Sequence, residues 1–237
     1  MRNFTKYILL TSCIMGVNFS LNEARAEGTN ISGNVSIGSD YVYRGISQTG
    51  ENATIQGGFD VASENGLYAG VWASNVSFDG SIEIDLYAGF GGSLSEGLDY
   101  DIGVLRYEYP DDAKGGAAES SFNEVYGSLS YSNVTLGFAY SPDFFAESDQ
   151  ATYVYIDYEL PLNNDFGLSF HYGNQYIDDN GAFGTPDYSD YSIGLSKSIL
   201  DIDVSLTWFD TDLSRNECFG GGDDCDSRLV FALGKSL

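Results

Sequence analysis

The sequence predicts an all-β protein: a transmembrane, antiparallel, up-and-down β-barrel of about 12 strands. Three observations carry that expectation. After residue 26, apolar and aromatic residues alternate with Gly, Ser and charged residues through nearly the whole chain. The alternating segments are joined by short turns and longer connectors in turn. A segment with the pattern of an export signal precedes them.

The N-terminal segment comes first. Arg2 and Lys6 give it a positive start, and residues 7–17 form an apolar run. Ala24-Arg25-Ala26 is a small-x-small cleavage site. The expected organisation is a signal peptide, 1–26, cleaved after Ala26, and one outer-membrane barrel domain, 27–237. The apolar run falls short of the roughly 20 residues that a spanning helix needs. A lipoprotein box at Leu10-Thr11-Ser12-Cys13 is the rival reading. Against it, four apolar residues separate Lys6 from Thr11, and more follow Cys13.

The 237 residues hold 10 Lys and Arg against 35 Asp and Glu. Without residues 1–26 the counts are 7 and 34, a net charge of −27. Nucleic acid is excluded as a partner, because phosphate neutralisation requires Lys and Arg. Such a surface attracts divalent cations and repels anionic solutes. The mean hydropathy of −0.16 suits a barrel, which hides its apolar face in alternation.

Strands are expected near 32–45, 53–63, 67–76, 82–93, 98–109, 122–131, 134–141, 151–160, 166–173, 188–199, 202–209 and 228–237. From 82 to 90, for example, Ile82, Ile84, Leu86, Ala88 and Phe90 share one face, and Glu83, Asp85, Tyr87 and Gly89 the other. The connector 77–81 is the shortest of the long class. Pro110, Pro142, Pro161 and Pro186 all fall in connectors, as the missing ladder donor requires. Lys197 and Lys235 point to lipid near the short-turn rim, where they can snorkel. Tyr41, Tyr43, Tyr140, Tyr172 and Trp208 are expected as an outward girdle at the upper rim. Tyr100, Tyr131 and Tyr158 are expected at the lower one. A soluble barrel or sandwich would alternate equally well and is the competing architecture.

The last segment places Leu229, Phe231, Leu233 and Leu237 on one face. It looks like the terminal strand that outer-membrane assembly machinery reads, but it ends in Leu rather than an aromatic residue.

Several stretches are similar to a known family. Ser39-Asp40-Tyr41-Val42-Tyr43-Arg44-Gly45-Ile46-Ser47-Gln48-Thr49 resembles the opening motif of the TorF porin family. That family is also known as the gcw conserved hypothetical family of proteobacteria. Gln56-Gly57-Gly58-Phe59-Asp60 follows, as do residues 67–76 and 83–89. The likeness spans essentially all of 27–237 and is strongest over 33–110. It implies an outer-membrane barrel and says little about activity.

By parity, the lumen should be acidic. Asp40, Asp60, Glu83, Asp85, Asp99 and Asp101 face inward, as do Glu124, Asp157, Glu159 and Asp203. The inward bases are Arg44 and Arg228. Acid rings favour cations in pores, so these residues read as pore-lining in a passive channel for small cationic or neutral solutes. The alternative is polar filler, hydrogen-bonded around Arg44 and to tyrosines, in a closed structural or surface-interaction barrel. A hairpin through 46–52 would bring Arg44 beside the strand of Asp60, as a pin for strand register or as a selectivity element.

No catalytic residue is expected. His171 is the only His, and it lies two residues from Ser169 on one strand, so the two side chains project in parallel. There is no Gly-x-Ser-x-Gly elbow. No cofactor or metal site is expected, because Asp111-Asp112, Asp178-Asp179 and the run 223–226 match no complete calcium loop. Cys218 and Cys225 are the cysteines left after residue 26. In an exported chain they should form a disulfide at the tip of the last long loop.

Overall fold

The computed structural model describes residues 24–26, 28–78, 81–110 and 118–237. Twelve strands form one closed antiparallel barrel. They are β1 (Thr29–Gly38), β2 (Thr54–Ser63), β3 (Leu67–Asn75), β4 (Ile82–Ser95), β5 (Leu98–Glu108) and β6 (Phe122–Tyr131). Then come β7 (Val134–Ser141), β8 (Ala151–Pro161), β9 (Phe166–Ile177), β10 (Tyr188–Ile199), β11 (Ile202–Thr211) and β12 (Arg228–Ser236). Each pairs with its sequence neighbour, and β12 closes on β1 through Leu233 opposite Ile37 and Lys235 opposite Val35. A short strand, Ala24–Ala26, pairs with the first residues of β1.

Closure satisfies every strand edge, which a bilayer core demands. Residues with outward parity form an apolar belt that includes Phe59, Leu86, Leu136, Ile156, Ile193 and Phe231, all exposed. Tyr140, Tyr172 and Trp208 face outward near the long-loop rim, as expected. Lys235 donates from Nζ to the carbonyl of Asp201 at 3.1 Å, and the Lys197 ammonium lies 4.4 Å from the Phe166 ring centre. Both lysines are therefore at the short-turn rim, with their charge held away from mid-membrane.

Inward tyrosines lie over inward glycines. A Cβ at Gly103 would fall 2.3 Å from Tyr126 Oη, and one at Gly137 only 2.2 Å from Tyr155 Cζ. Gly70 and Gly89 are covered in the same way by Tyr87 and Tyr68. The glycines let the rings lie along the wall, so Gly and Tyr act here as register pairs.

Three expectations are corrected. β1 ends at Gly38 rather than at residue 45, and residues 39–52 turn inward across the long-loop mouth. Tyr41 and Tyr43 are consequently not girdle residues. Tyr41 is fully buried inside, and Tyr43 packs edge-on against Tyr107. Their alternation with Asp40, Val42 and Arg44 continues the strand pattern, but the partners that take them inward are remote in sequence. Pro161, assigned to a connector, is the last residue of β8, opposite Gly167, and tolerable there because it ends the strand. The charged pair Asp111-Asp112 lies outside the described residues.

Candidate functional site

The inward segment is built around a miniature hairpin, Val42–Tyr43 paired with Ile46–Ser47. Its two turn residues, Arg44 (φ 44°) and Gly45 (φ 80°), are both left-handed. That is the signature of a tight two-residue hairpin turn, and it favours Gly at the second position. Gly45 is wedged against the wall: a Cβ there would lie 2.5 Å from Thr211 Cγ2 and 2.8 Å from Asp190 Cβ.

Asp40 closes the base of the segment. It accepts from Ser47 Oγ at 2.8 Å and from Thr49 Oγ1 at 2.6 Å. Its other oxygen meets Arg228 Nη1 at 3.1 Å, which ties the segment to the top of β12.

The hairpin delivers Arg44 to the centre of the lumen. Its Nη2 donates to both oxygens of Glu124, at 2.8 and 2.9 Å, and its Nη1 to Gln175 Oε1 at 2.7 Å. The guanidinium carbon lies 4.3 Å from the Tyr153 ring centre and 4.7 Å from that of Tyr43. The expected pairing with the strand of Asp60 is corrected. The hairpin points across the bore, and Asp60 instead accepts from Tyr87 Oη.

Around this centre the acids are held by tyrosines. Glu83 accepts from Tyr41 at 2.7 Å and from Tyr109 at 2.5 Å. Lower down, Tyr68 Oη donates to Asp101 at 2.7 Å and lies 2.6 Å from Tyr126 Oη. His171 faces Asp157 through Nδ1 at 2.6 Å, and Asp190 and Tyr153 through Nε2 at 3.1 and 2.7 Å.

Burial varies along the axis. Asp40, Arg44, Glu83, Asp85 and Glu124 are buried near the long-loop mouth. Asp60, Asp101, Asp157, Glu159 and Asp203 are half-buried, and Asp99 is exposed near the short-turn rim. The strand-borne candidates thus all lie on inward parity, while Asp40 and Arg44 enter through the folded-in segment. Gln175 and Asp190 escaped the sequence reading. Asp190 shares inward parity with Ser192 and Gly194 and could have been found that way. Gln175 fell in a stretch assigned to a loop, because β9 runs on to Ile177.

Cys218 and Cys225 form the expected disulfide. It is not at an exposed tip. Both cysteines are buried and pack with Ile46 and Tyr188, against the folded-in segment. The Ser47 N–H donates to the Asp224 carbonyl at 2.8 Å. Arg228 Nη2 donates to the carbonyls of Asp223 and Asp226 at 2.8 and 2.9 Å. Burial pushes the Asp224 carboxyl above its ordinary range, against the pull of Arg228. In the same loop, the Ser214 hydroxyl and N–H hold Glu217 below its usual value.

A closed barrel with an apolar outer belt and a charged, partly filled lumen defines a transmembrane barrel of porin architecture. The chain belongs to the Gcw_chp family, described as a bacterial protein of unknown function, whose model matches residues 22–237. Its fold is similar to that of the NanC porin, at 13% identity and TM-score 0.53, over 85% of this chain and 97% of that one. It is also similar to the KdgM porin, at 8% identity and TM-score 0.54, over 86% and 97%. No curated protein matches it by sequence.

Proposed function

We propose that this chain is an outer-membrane porin of the TorF type, exported by a signal peptide cleaved after Ala26. It passes small cationic or neutral solutes, and residues 39–52 are a plug that narrows the path. The observation that carries this reading is the charge of the inward wall. Ten anticipated acids, with Asp190 in addition, face Arg44 and Arg228 as the inward bases. Arg44 is bound to Glu124 and Arg228 to Asp40, so the remaining carboxylates set the sign of the field. The half-buried acids below the plug support a vestibule that gathers cations. The porin likeness supports passage of solutes rather than chemistry. Both ring nitrogens of His171 are engaged by carboxylates, which supports a structural role and not the activation of a nucleophile. The test is reconstitution in planar bilayers under a salt gradient. A reversal potential on the cation side is expected, and anion selectivity would overturn the proposal.

A second reading rests on the plug itself. The buried Arg44–Glu124 pair and the fully buried Tyr41 suit a closed barrel whose loops meet partners or cations at the surface. That reading predicts no conductance from folded protein, and a phenotype lost on shortening the loops alone.

A further inference from the structure

Among the described residues, Asp85 is the buried carboxylate that its neighbours leave without a hydrogen bond. Asp85 is 1% exposed, and neither carboxylate oxygen has a hydrogen-bond partner among the described residues. It projects inward from β4, with Trp72 opposite on β3 and Tyr107 opposite on β5. Cross-strand partners of this kind have Cβ atoms about 4.5–5.5 Å apart. Glu83 and Glu124 are close enough to act on Asp85 electrostatically. Glu124 is matched by Arg44, whereas the hydroxyls that reach Glu83 are neutral. When ionised, these three carboxylates outnumber the one guanidinium that meets them. Kept ionised, a buried carboxylate with neither a hydrogen bond nor a counter-charge is among the costliest arrangements a fold can hold, so it takes up either a proton or a cation.

We propose that Asp85 is a binding site for a small inorganic cation. The cation keeps part of its water shell and shares the rest with the Asp85 carboxylate, beneath the plug and beside Trp72. A bulky organic cation such as N-methylglucamine is too large for a carboxylate this enclosed. The site does not depend on whether the barrel conducts, since a resident cation would balance the charge of a closed lumen equally well.

The test uses the full barrel, folded in detergent, in sodium chloride, calcium chloride or N-methylglucamine chloride at equal ionic strength. With sodium or calcium the wild type should unfold about 3 °C or more higher than with the bulky organic cation. Asp85→Asn should abolish the difference. In N-methylglucamine it should unfold above the wild type, because an uncompensated charge has been removed. Equal unfolding of the wild type in all three salts would overturn the proposal. So would a difference that survives Asp85→Asn, which would place cation binding in the acidic loops. If Asp85→Asn does not fold, Trp208→Phe leaves Trp72 as the sole tryptophan. Its emission should change when sodium or calcium replaces N-methylglucamine, and an unchanged spectrum in both salts would likewise overturn the site.

Discussion

Arg44 reaches Glu124 across 80 residues of sequence, and one nitrogen, Nη2, bonds both carboxylate oxygens. The contact fixes the plug to the far wall, so its removal should act on the plug and not on the barrel. Breaking one side of a buried pair typically costs about 3–5 kcal/mol. Arg44→Ala should release residues 39–52 to proteases and raise single-channel conductance, while the heat-modifiable band of the folded barrel persists. Arg44→Lys should recover little, since an ammonium cannot hold Glu124 and Gln175 together in this planar arrangement. Conductance and cleavage both equal to wild type would show that the pair does not seat the plug.

Gly45 offers a steric route to the same end. An added Cβ meets Thr211 and Asp190, and the left-handed backbone disfavours any L side chain. Gly45→Ala should destabilise the seated plug by about 1–3 kcal/mol. Hydrogen exchange should quicken over 39–52 and stay slow in β2 to β11.

Much of this was legible in the sequence. Period-two alternation gives the inward parity of Asp60, Glu83, Asp101 and Asp157 directly, and it separates Phe59 and Leu86 to the lipid side. The plug was not legible for the same reason. Asp40, Val42 and Arg44 alternate with Tyr41 and Tyr43, so the local pattern continues β1. What turns the chain inward is tertiary: Glu124, Gln175 and Arg228 lie 80, 131 and 188 residues from their partners. Parity says which face a residue takes on a strand and nothing about where the strand stops.

The disulfide closes a short loop, for which chain entropy gives about 2–3 kcal/mol. Because Cys218 and Cys225 pack on Ile46, its loss should be felt in the plug. Replacing both cysteines with serine should speed exchange at Ile46 and Ser47 and leave the melting of the barrel nearly unchanged. Intact mass of the chain without residues 1–26, under thiol blocking, should show no alkylated cysteine before reduction. Two alkylated cysteines in that sample would show that the bridge is absent.

Glu217 caps its own turn, with Ser214 Oγ 2.6 Å and Ser214 N 2.9 Å from its carboxylate. Its pKa is lowered in the folded loop. The cap therefore contributes fully above the ordinary glutamate range and is lost as pH falls through the lowered value. Side-chain carboxyl shifts measured by NMR should give Glu217 a lower midpoint than exposed glutamates, and Ser214→Ala should raise it. An unchanged midpoint in Ser214→Ala would assign the shift to another cause.

The bond between Asp40 and Arg228 joins residues at opposite ends of the barrel's chain. Arg228 opens β12, the final strand, and Asp40 follows β1, the first. The bond therefore spans the seam where β12 closes on β1, and it clasps that seam at the long-loop mouth as a side-chain tie beside the backbone ladder that makes the barrel continuous.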